Sequence, residues 1–263
     1  MTIAIPDLTR ILCGDAESGR APVVVVSGAS AGLGQFVPAA LARRGCRVAR
    51  LARSRTELVQ SAVADVSDQK AVTRAFQRIS VGLGPVRILI AGAAIYPRHE
   101  VLTQPDAPVQ EVPAVNLGGQ VNCDMAALAQ MVPMGKGRIV LVGNSAGDVS
   151  LPGSPGYSVY RAGGQALARA LVAGTSARLP GLAVSERMSP VLAPRMGRAD
   201  GVAAEIAAEG CAGLATNCDP ALSGMVFPGP VEHRARLGLR QRLRNRLTLR
   251  RPKPLCRLDG GGT

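Results

Sequence analysis

Three glycines near the start of the chain could hold a phosphate group. They are Gly28, Gly32 and Gly34, which follow a GxxxGxG pattern within residues 27–34. Glycine lets the backbone turn sharply and come close to an anion, and a helix that begins at such a turn offers free N–H groups and the positive end of its dipole. The hydroxyl of Ser30 could add a donor. We therefore predict a turn that binds a diphosphate, and the alternative is a tight turn that binds nothing.

The stretches around this turn predict alternating strands and helices. Residues 23–26 are four valines, which predict a strand buried on both faces, and residues 32–44 predict a helix that ends at Gly45. Further strands are predicted over residues 47–52, 63–66, 86–91, 138–142 and 182–185. Further helices are predicted over 67–80 with Ser67 as its cap, 109–134 with an interruption near Pro113, and 157–177. This alternation indicates the α/β class with a doubly wound (Rossmann-type), mostly parallel sheet.

Ordered motifs over about residues 20–227 resemble those of the short-chain dehydrogenase/reductase (SDR) family. That family opens with TGxxxGxG, in which Ser27 here replaces the threonine. Its later motifs are matched in chain order by Asp65 with Val66, Asn116, residues 137–140, Tyr157 with Arg161, Ser189 with Pro190, and residues 221–224. The resemblance implies a dinucleotide-binding domain and hydride transfer between a nicotinamide and a carbonyl or alcohol.

The resemblance also implies roles for four catalytic positions. Tyr157 would be the acid or base, which must lie within hydrogen-bond reach of the reacting oxygen. Arg161 stands one helical turn later, where the family has lysine; its permanent charge can lower the pKa of the tyrosine, but it does not readily pass on a proton. Asn144 replaces the family's serine, with Ser145 as a substitute only if the loop shifts register. Asn116 matches the asparagine that supports a water chain.

The end of the second predicted strand favours NADP over NAD. Enzymes that use NAD usually place an acid there, whereas this chain has Arg53, Ser54 and Arg55. Two guanidinium groups could pair with a 2′-phosphate, and the alternative is solvated loop charge. The residues expected to contact the cofactor are Ser27, Gly28, Ser30, Gly32, Leu33, Gly34, Arg53, Ser54, Asp65, Val66, Ala91, Gly92 and Pro190.

Length and composition limit the class of protein. The 263 residues suit an N-terminal extension (1–20), one SDR-like domain (21–230) and a basic tail (231–263). Six cysteines without a CxxC pair predict free thiols in a cytoplasmic protein and no metal site. We find no apolar run long enough for a membrane span and no signal-peptide pattern over residues 1–14.

The basic tail suggests a second kind of contact. The formal net charge is +13, and ten of the 31 Lys and Arg residues lie in 231–263. Leu239, Leu243 and Leu247 would form a stripe flanked by arginines on a helix, which suits an anionic membrane surface and therefore peripheral membrane association. The alternatives are a solvated or subunit-packing extension and nucleic-acid binding, which the lack of aromatic residues does not favour.

Several functions remain open at this stage. The first is an NADP-dependent oxidoreductase with Tyr157 as acid or base, acting on a small-molecule carbonyl or alcohol. The second is a catalytically impaired NADP-binding sensor or scaffold, because Asn144 and Arg161 replace the family's serine and lysine. A third is a protein whose tail dominates its function. The resemblance also implies a homo-oligomer.

Overall fold

The computed structural model describes residues 20–54, 61–100, 102–103, 109–143, 152–189, 202–217, 219–233, 255–256 and 258. Within these ranges the chain forms a seven-stranded sheet. Its strands are β1 (Val23–Ser27), β2 (Arg47–Ala52), β3 (Ser61–Val63), β4 (Val86–Ala91), β5 (Lys136–Gly143), β6 (Gly181–Met188) and β7 (Val226–Phe227). Their order is β3-β2-β1-β4-β5-β6-β7, and every neighbouring pair is parallel. The predicted doubly wound parallel sheet is confirmed.

Helices cover both faces of this sheet. Within the described ranges they are α1 (Leu33–Arg43), α2 (Gln69–Leu83), α3 (Gly119–Met131), α4 (Pro155–Thr175) and α5 (Ala204–Thr216). Alternate residues of β4 belong to different cores: Leu89 packs with Phe76 and Met131 under α2, α3 and α4, whereas Ile88 packs with Leu41 under α1 and α5. Because β1 and β4 are each buried on both faces, their nearly continuous apolar sequences are those expected of central parallel strands.

The strand order reverses between β1 and β4, which positions the site. β1 pairs with β2 on one side and with β4 on the other. In open α/β sheets a crevice forms outside the carboxyl ends of the strands at such a switch point, and ligands bind there. The turn after β1 and the loop after β4 therefore face the same crevice.

Some predicted boundaries were wrong, for local reasons. The third strand covers Ser61–Val63 instead of 63–66, and the sixth extends to Gly181–Met188 because it pairs with β5 along its whole length. The cap of α2 is Asp68, whose carboxylate accepts a hydrogen bond from Ala71 N at 3.0 Å. Ser67 instead donates its hydroxyl to Asp65 at 2.7 Å.

A π-helical turn, Pro113–Gly118, precedes α3. The sequence predicted an interruption near Pro113, and the structure places it there. Such single π turns occur often at functional sites, and this one contains Asn116, one of the predicted catalytic residues.

Part of the C-terminal segment packs on the domain. His233 N donates to Val226 O at 2.7 Å, and Leu258 N donates to Pro230 O at 2.8 Å. Cys256 and Leu258 contact the core under α1 and α5. The predicted leucine stripe over 239–247 lies outside the described residues. In the part of the chain that the structure describes, no helix combines the length and the apolar character that a bilayer crossing requires.

Candidate cofactor and active site

The turn after β1 is built around two glycines that have no room for a side chain. Gly28 has φ +73°, and a Cβ there would lie 2.6 Å from Ala93 Cα. A Cβ at Gly34 would overlap Gly28 O. Gly28 N also donates to Leu51 O at 3.0 Å, which fixes the turn against β2. The glycine pattern is therefore required by close backbone packing as well as by backbone conformation.

Gly32 is different, because the space beside it is open. It has φ +57° and precedes α1, and a Cβ there would meet no atom within 4 Å. A cleft of about 310 Å³ lies at this point and is lined in part by Gly32, Leu33 and Gly34. The first turn of α1 contains no acidic residue, so its N–H groups and dipole would attract an anion. These residues fit the diphosphate of a dinucleotide.

Small residues after β4 form the opposite side of the cleft. Gly92 and Ala94 line it together with Ser27 and Val142, and the last residue of β4, Ala91, is buried. The hydroxyl of Ser27 accepts hydrogen bonds from Gly92 N at 3.1 Å and Ala93 N at 3.3 Å. Ser27 therefore joins the end of β1 to the loop after β4 at the wall of the cleft.

The ends of β2 and β3 carry the remaining predicted cofactor residues. Arg53 and Ser54 are exposed just after β2. Asp65 accepts hydrogen bonds from Ser67 N and from the Ser67 hydroxyl, and these bonds, with a smaller contribution from Arg53, hold the pKa of Asp65 below its usual value. Val66 is buried against Gly119. Ser30 is exposed in the turn and is not among the residues that line the cleft.

Asn116 is fully buried in the π-helical turn. Its Oδ1 accepts a hydrogen bond from Ile95 N at 2.8 Å, and its Nδ2 donates to Ile95 O at 2.9 Å. Both ends of the amide are thus used to hold the loop that follows β4. In this structure Asn116 acts on the shape of the crevice.

Tyr157 lies in the first turn of α4, between two other tyrosines. Its ring contacts Tyr96 edge to face at a centroid distance of 4.7 Å and Tyr160 at 5.5 Å. These are all three tyrosines of the chain. Tyr96 is half-exposed in the loop after β4, whereas Tyr160 is buried, so the tyrosines form a row from solvent to core. Tyr157 thus lies beside the loop that borders the crevice.

Arg161 is buried below this row and is paired with a carboxylate. Its Nη2 donates to Glu186 Oε1 of β6 at 2.5 Å. Its Nη1 donates to Val142 O and to the Tyr160 hydroxyl, both at 3.4 Å. Desolvation by itself would lower the pKa of Arg161, but Tyr160 and Glu186 raise it above its usual value. Arg161 is therefore a permanent cation held inside the protein.

A family model described as short chain dehydrogenase matches residues 22–178 of the chain. The chain belongs to this family. The match spans the glycine-rich turn, the π-helical turn and the tyrosines of α4, so the short-chain dehydrogenase fold covers the whole of the crevice described above.

Curated short-chain dehydrogenase relatives match about half of this chain. It is 35% identical over 153 residues to glycine betaine reductase ATRR of Emericella nidulans, which covers 53% of this chain and 12% of that protein. It is 33% identical over 156 residues to 2-dehydro-3-deoxy-L-rhamnonate dehydrogenase (NAD(+)) of a Sphingomonas species (53% and 60%). It is 33% identical over 135 residues to galactitol 2-dehydrogenase (L-tagatose-forming) of Cereibacter sphaeroides (47% and 53%). The chain thus spans less than two thirds of the length of each.

Some of the predicted site positions lie outside the described residues. They are Asn144, its neighbour Ser145, Arg55 and Pro190. Of the others, the structure brings together around the cleft those at the ends of β1 and β4: Ser27, Gly32, Leu33, Gly34 and Gly92. Tyr157 and Asn116 each contact the loop that follows β4.

Sequence reasoning missed three side chains in and below the crevice. Tyr96 follows β4 in a loop for which no element was predicted. Glu186 stands with Arg187 in a strand that is otherwise mostly apolar, and this pair of charges was a usable signal of a buried ion pair. Asp124 is buried on α3, and nothing in the local pattern distinguishes it from a surface residue.

Proposed function

We propose that this chain is an NADP-dependent oxidoreductase that transfers hydride between the nicotinamide and a small carbonyl or alcohol substrate, with Tyr157 as acid or base. The observation that carries this proposal is the open space at Gly32, in the same turn as the tightly packed Gly28 and Gly34, at the switch point of the sheet. The glycines let the backbone approach a bound anion closely, and the first turn of α1 has no acidic residue to repel it, so this turn suits a phosphate group. The relatives named above are a reductase and dehydrogenases, which supports the class of reaction.

Arg53 supports the preference for NADP. It follows β2 directly, and β2 is joined to the glycine turn by the hydrogen bond from Gly28 N to Leu51 O. A guanidinium suits a phosphate because its planar fork can donate two hydrogen bonds. The printed name of the Sphingomonas relative includes NAD(+), so the choice of NADP rests on the residues of this chain. Ser54, Asp65, Val66 and Pro190 complete the proposed cofactor contacts.

The cofactor, when bound, supplies or accepts the hydride at the substrate carbon. In the reductive direction the hydroxyl of Tyr157 gives its proton to the substrate oxygen, which completes the alcohol; oxidation reverses both transfers. Asn144 would donate a hydrogen bond to the same oxygen through its amide. Asn116 keeps the loop after β4 in place. The substrate would lie beside Tyr96, which borders Tyr157.

A second function is favoured by one observation. The cation that follows Tyr157 is buried and paired with Glu186, and it is not among the residues that line the cleft. With Asn144 in place of the family's serine, a dinucleotide-binding sensor or scaffold with little turnover is the alternative. We further propose that the functional unit comprises residues 21–230, that it forms a homo-oligomer, and that the basic tail contacts anionic membrane surfaces.

The experiment is a titration with NADPH and NADH followed by a carbonyl screen with Tyr157→Phe. We expect NADPH to bind to both proteins and turnover to fall by about 10²–10⁴-fold in the variant, because it has lost the proton donor. Tyr160→Phe is the matched control: it removes a hydroxyl from the same helix and should keep most of the activity. Binding without turnover in the wild type would instead support the sensor, and equal turnover in wild type and Tyr157→Phe would reject Tyr157.

A further inference from the structure

An ion pair is buried beneath the tyrosines of α4, and the proton transfer proposed for Tyr157 does not explain it. Arg161 and Glu186 have side chains only 4% and 7% exposed. They come from different elements, α4 and β6, and are separated by 25 residues in the sequence. The second arm of the guanidinium reaches Val142 O and the Tyr160 hydroxyl. A single ammonium group could not reproduce this fork.

Gly143, the last residue of β5, leaves the space that the ion pair occupies. A Cβ at Gly143 would overlap both Glu186 Oε1 and Arg161 Nη2. Gly143 is not among the glycines with positive φ, so space is the reason for glycine at this position. Three residues on β5, α4 and β6 therefore depend on one another: the arginine, the carboxylate that pairs with it, and the glycine that leaves room for both.

The charges around the tyrosines determine how the ion pair affects the protonation of Tyr157. The titratable groups that act on Arg161 are Tyr157 and Tyr160 on α4 and Glu186 on β6, and Asp124 of α3 also acts on Tyr160. Tyr96 contacts Tyr157 from the loop after β4. A lone cation beside a tyrosine favours the phenolate. Glu186 offsets that effect because it places an opposite charge against the same guanidinium.

We propose that Glu186 is a positioning residue that holds Arg161 and neutralises its charge, so that the Tyr157 hydroxyl stays protonated into alkaline solution. Its consequence for catalysis rests on the proposed function. In the reductive direction the site then keeps its proton donor over a wide pH range. An unpaired cation facing the crevice would have the opposite effect, because it would lower the pKa of Tyr157.

A spectroscopic titration tests this proposal without cofactor or substrate. The chain has three tyrosines and no tryptophan, so the ultraviolet absorbance of tyrosinate can be followed without interference. The contribution of Tyr157 is the part that Tyr157→Phe removes. We expect Glu186→Gln to move its midpoint down by about one pH unit, because the variant removes the negative charge that lies against the guanidinium. Glu205→Gln, an exposed carboxylate on α5, is the matched control and should leave the midpoint unchanged.

Two results would overturn the proposal. One is a Glu186→Gln protein that folds and titrates like the wild type. The other is a wild-type midpoint for Tyr157 well below the ordinary tyrosine value of about 10. This second result needs no variant at Glu186, so it can be obtained even if Glu186→Gln does not fold. Where turnover is measurable, the alkaline limb of kcat should shift with the same variant while KM for NADPH stays constant. Absence of NADPH binding would reject the proposed function and leave the titration result valid.

Discussion

Asp124 lies on α3 and is fully buried. Among the described residues neither carboxylate oxygen makes a well-formed hydrogen bond, and the side chain of Gln120, which acts on the carboxylate, offsets only part of the effect of burial. Burial raises the pKa of Asp124 well above its usual value. The uncharged acid is the form that such a position tolerates, because a buried carboxylate with no cation beside it is costly. Ionisation of Asp124 should therefore destabilise the folded protein.

The stability of the protein should depend on pH through this residue. Because the folded pKa of Asp124 is raised, its contribution is complete below the unfolded value of about 3.9 and is lost as pH rises through the folded pKa. The stability lost should approach about 1.4 kcal/mol per pH unit in that window. We expect Asp124→Asn to remove this loss, so that denaturant melts show the variant gaining on the wild type as pH rises above the unfolded value of about 3.9.

Asp65→Asn provides the opposite case. The pKa of Asp65 is lowered by its bonds to Ser67, so its contribution is present above the unfolded pKa and is lost as pH falls. Melts of that variant should approach those of the wild type in acid. A gap between Asp124→Asn and wild type that stays constant with pH would contradict the account of Asp124.

At the scale of elements, the turn between β1 and α1 joins three chain segments. Gly28 contacts the loop after β4, bonds to β2, and approaches Gly34 at the start of α1. The hydroxyl of Ser27 repeats the link to the same loop. The shape of the glycine-rich turn therefore depends on how β1, β2, β4 and α1 pack together. A small change in the turn should alter both the free energy of unfolding and the affinity for the cofactor.

A methyl group at Gly28 tests this packing. Gly28→Ala combines a positive φ with a Cβ contact of 2.6 Å to backbone, so we expect a loss of about 1–3 kcal/mol in the free energy of unfolding together with weaker NADPH binding. Gly82→Ala is the matched control, because Gly82 lies in α2 with nothing within 4 Å of its Cβ. It should stabilise the protein by about 0.5–1 kcal/mol and leave NADPH binding unchanged. Equal effects of the two variants would contradict this role of the turn.

At the scale of the whole molecule, the proposed site draws on most of the sheet. The ends of β1, β4 and β5 border the cleft, and β5 and β6 support the ion pair. The π-helical turn before α3 holds the loop after β4. A ligand that binds only the folded chain stabilises all of these elements at once. Cofactor preference should therefore appear as a difference in thermal stability.

We expect NADPH to raise Tm more than NADH at equal concentration. Saturation at one hundred times Kd stabilises a protein by about 2.7 kcal/mol, which corresponds to several degrees for a domain of this size. Arg53→Ser should weaken NADPH binding by roughly tenfold to a hundredfold and leave the effect of NADH unchanged. Differential scanning fluorimetry with both cofactors is the measurement, and equal shifts with NADPH and NADH in the wild type would contradict the role of Arg53.

The sequence by itself determined those features that depend on residues close together in the chain. Four valines before a glycine pattern predict a buried strand and an anion-binding turn, and β2 and β4 were predicted with their observed bounds. The family could be recognised for the same reason, since its motifs are short and ordered. The proposed contact of Arg53 with a cofactor and the role of the basic tail remain predictions.

Only the tertiary structure decided which distant side chains meet. Arg161 was predicted beside Tyr157, but its partner Glu186 lies 25 residues further along the chain, and the need for glycine at 143 exists only once both are in place. The burial of Asp124 likewise depends on how α3 packs on the sheet. Local patterns follow from backbone propensity and hydrophobic period, whereas a buried ion pair is the product of three elements folded against one another, and no short stretch of sequence encodes it.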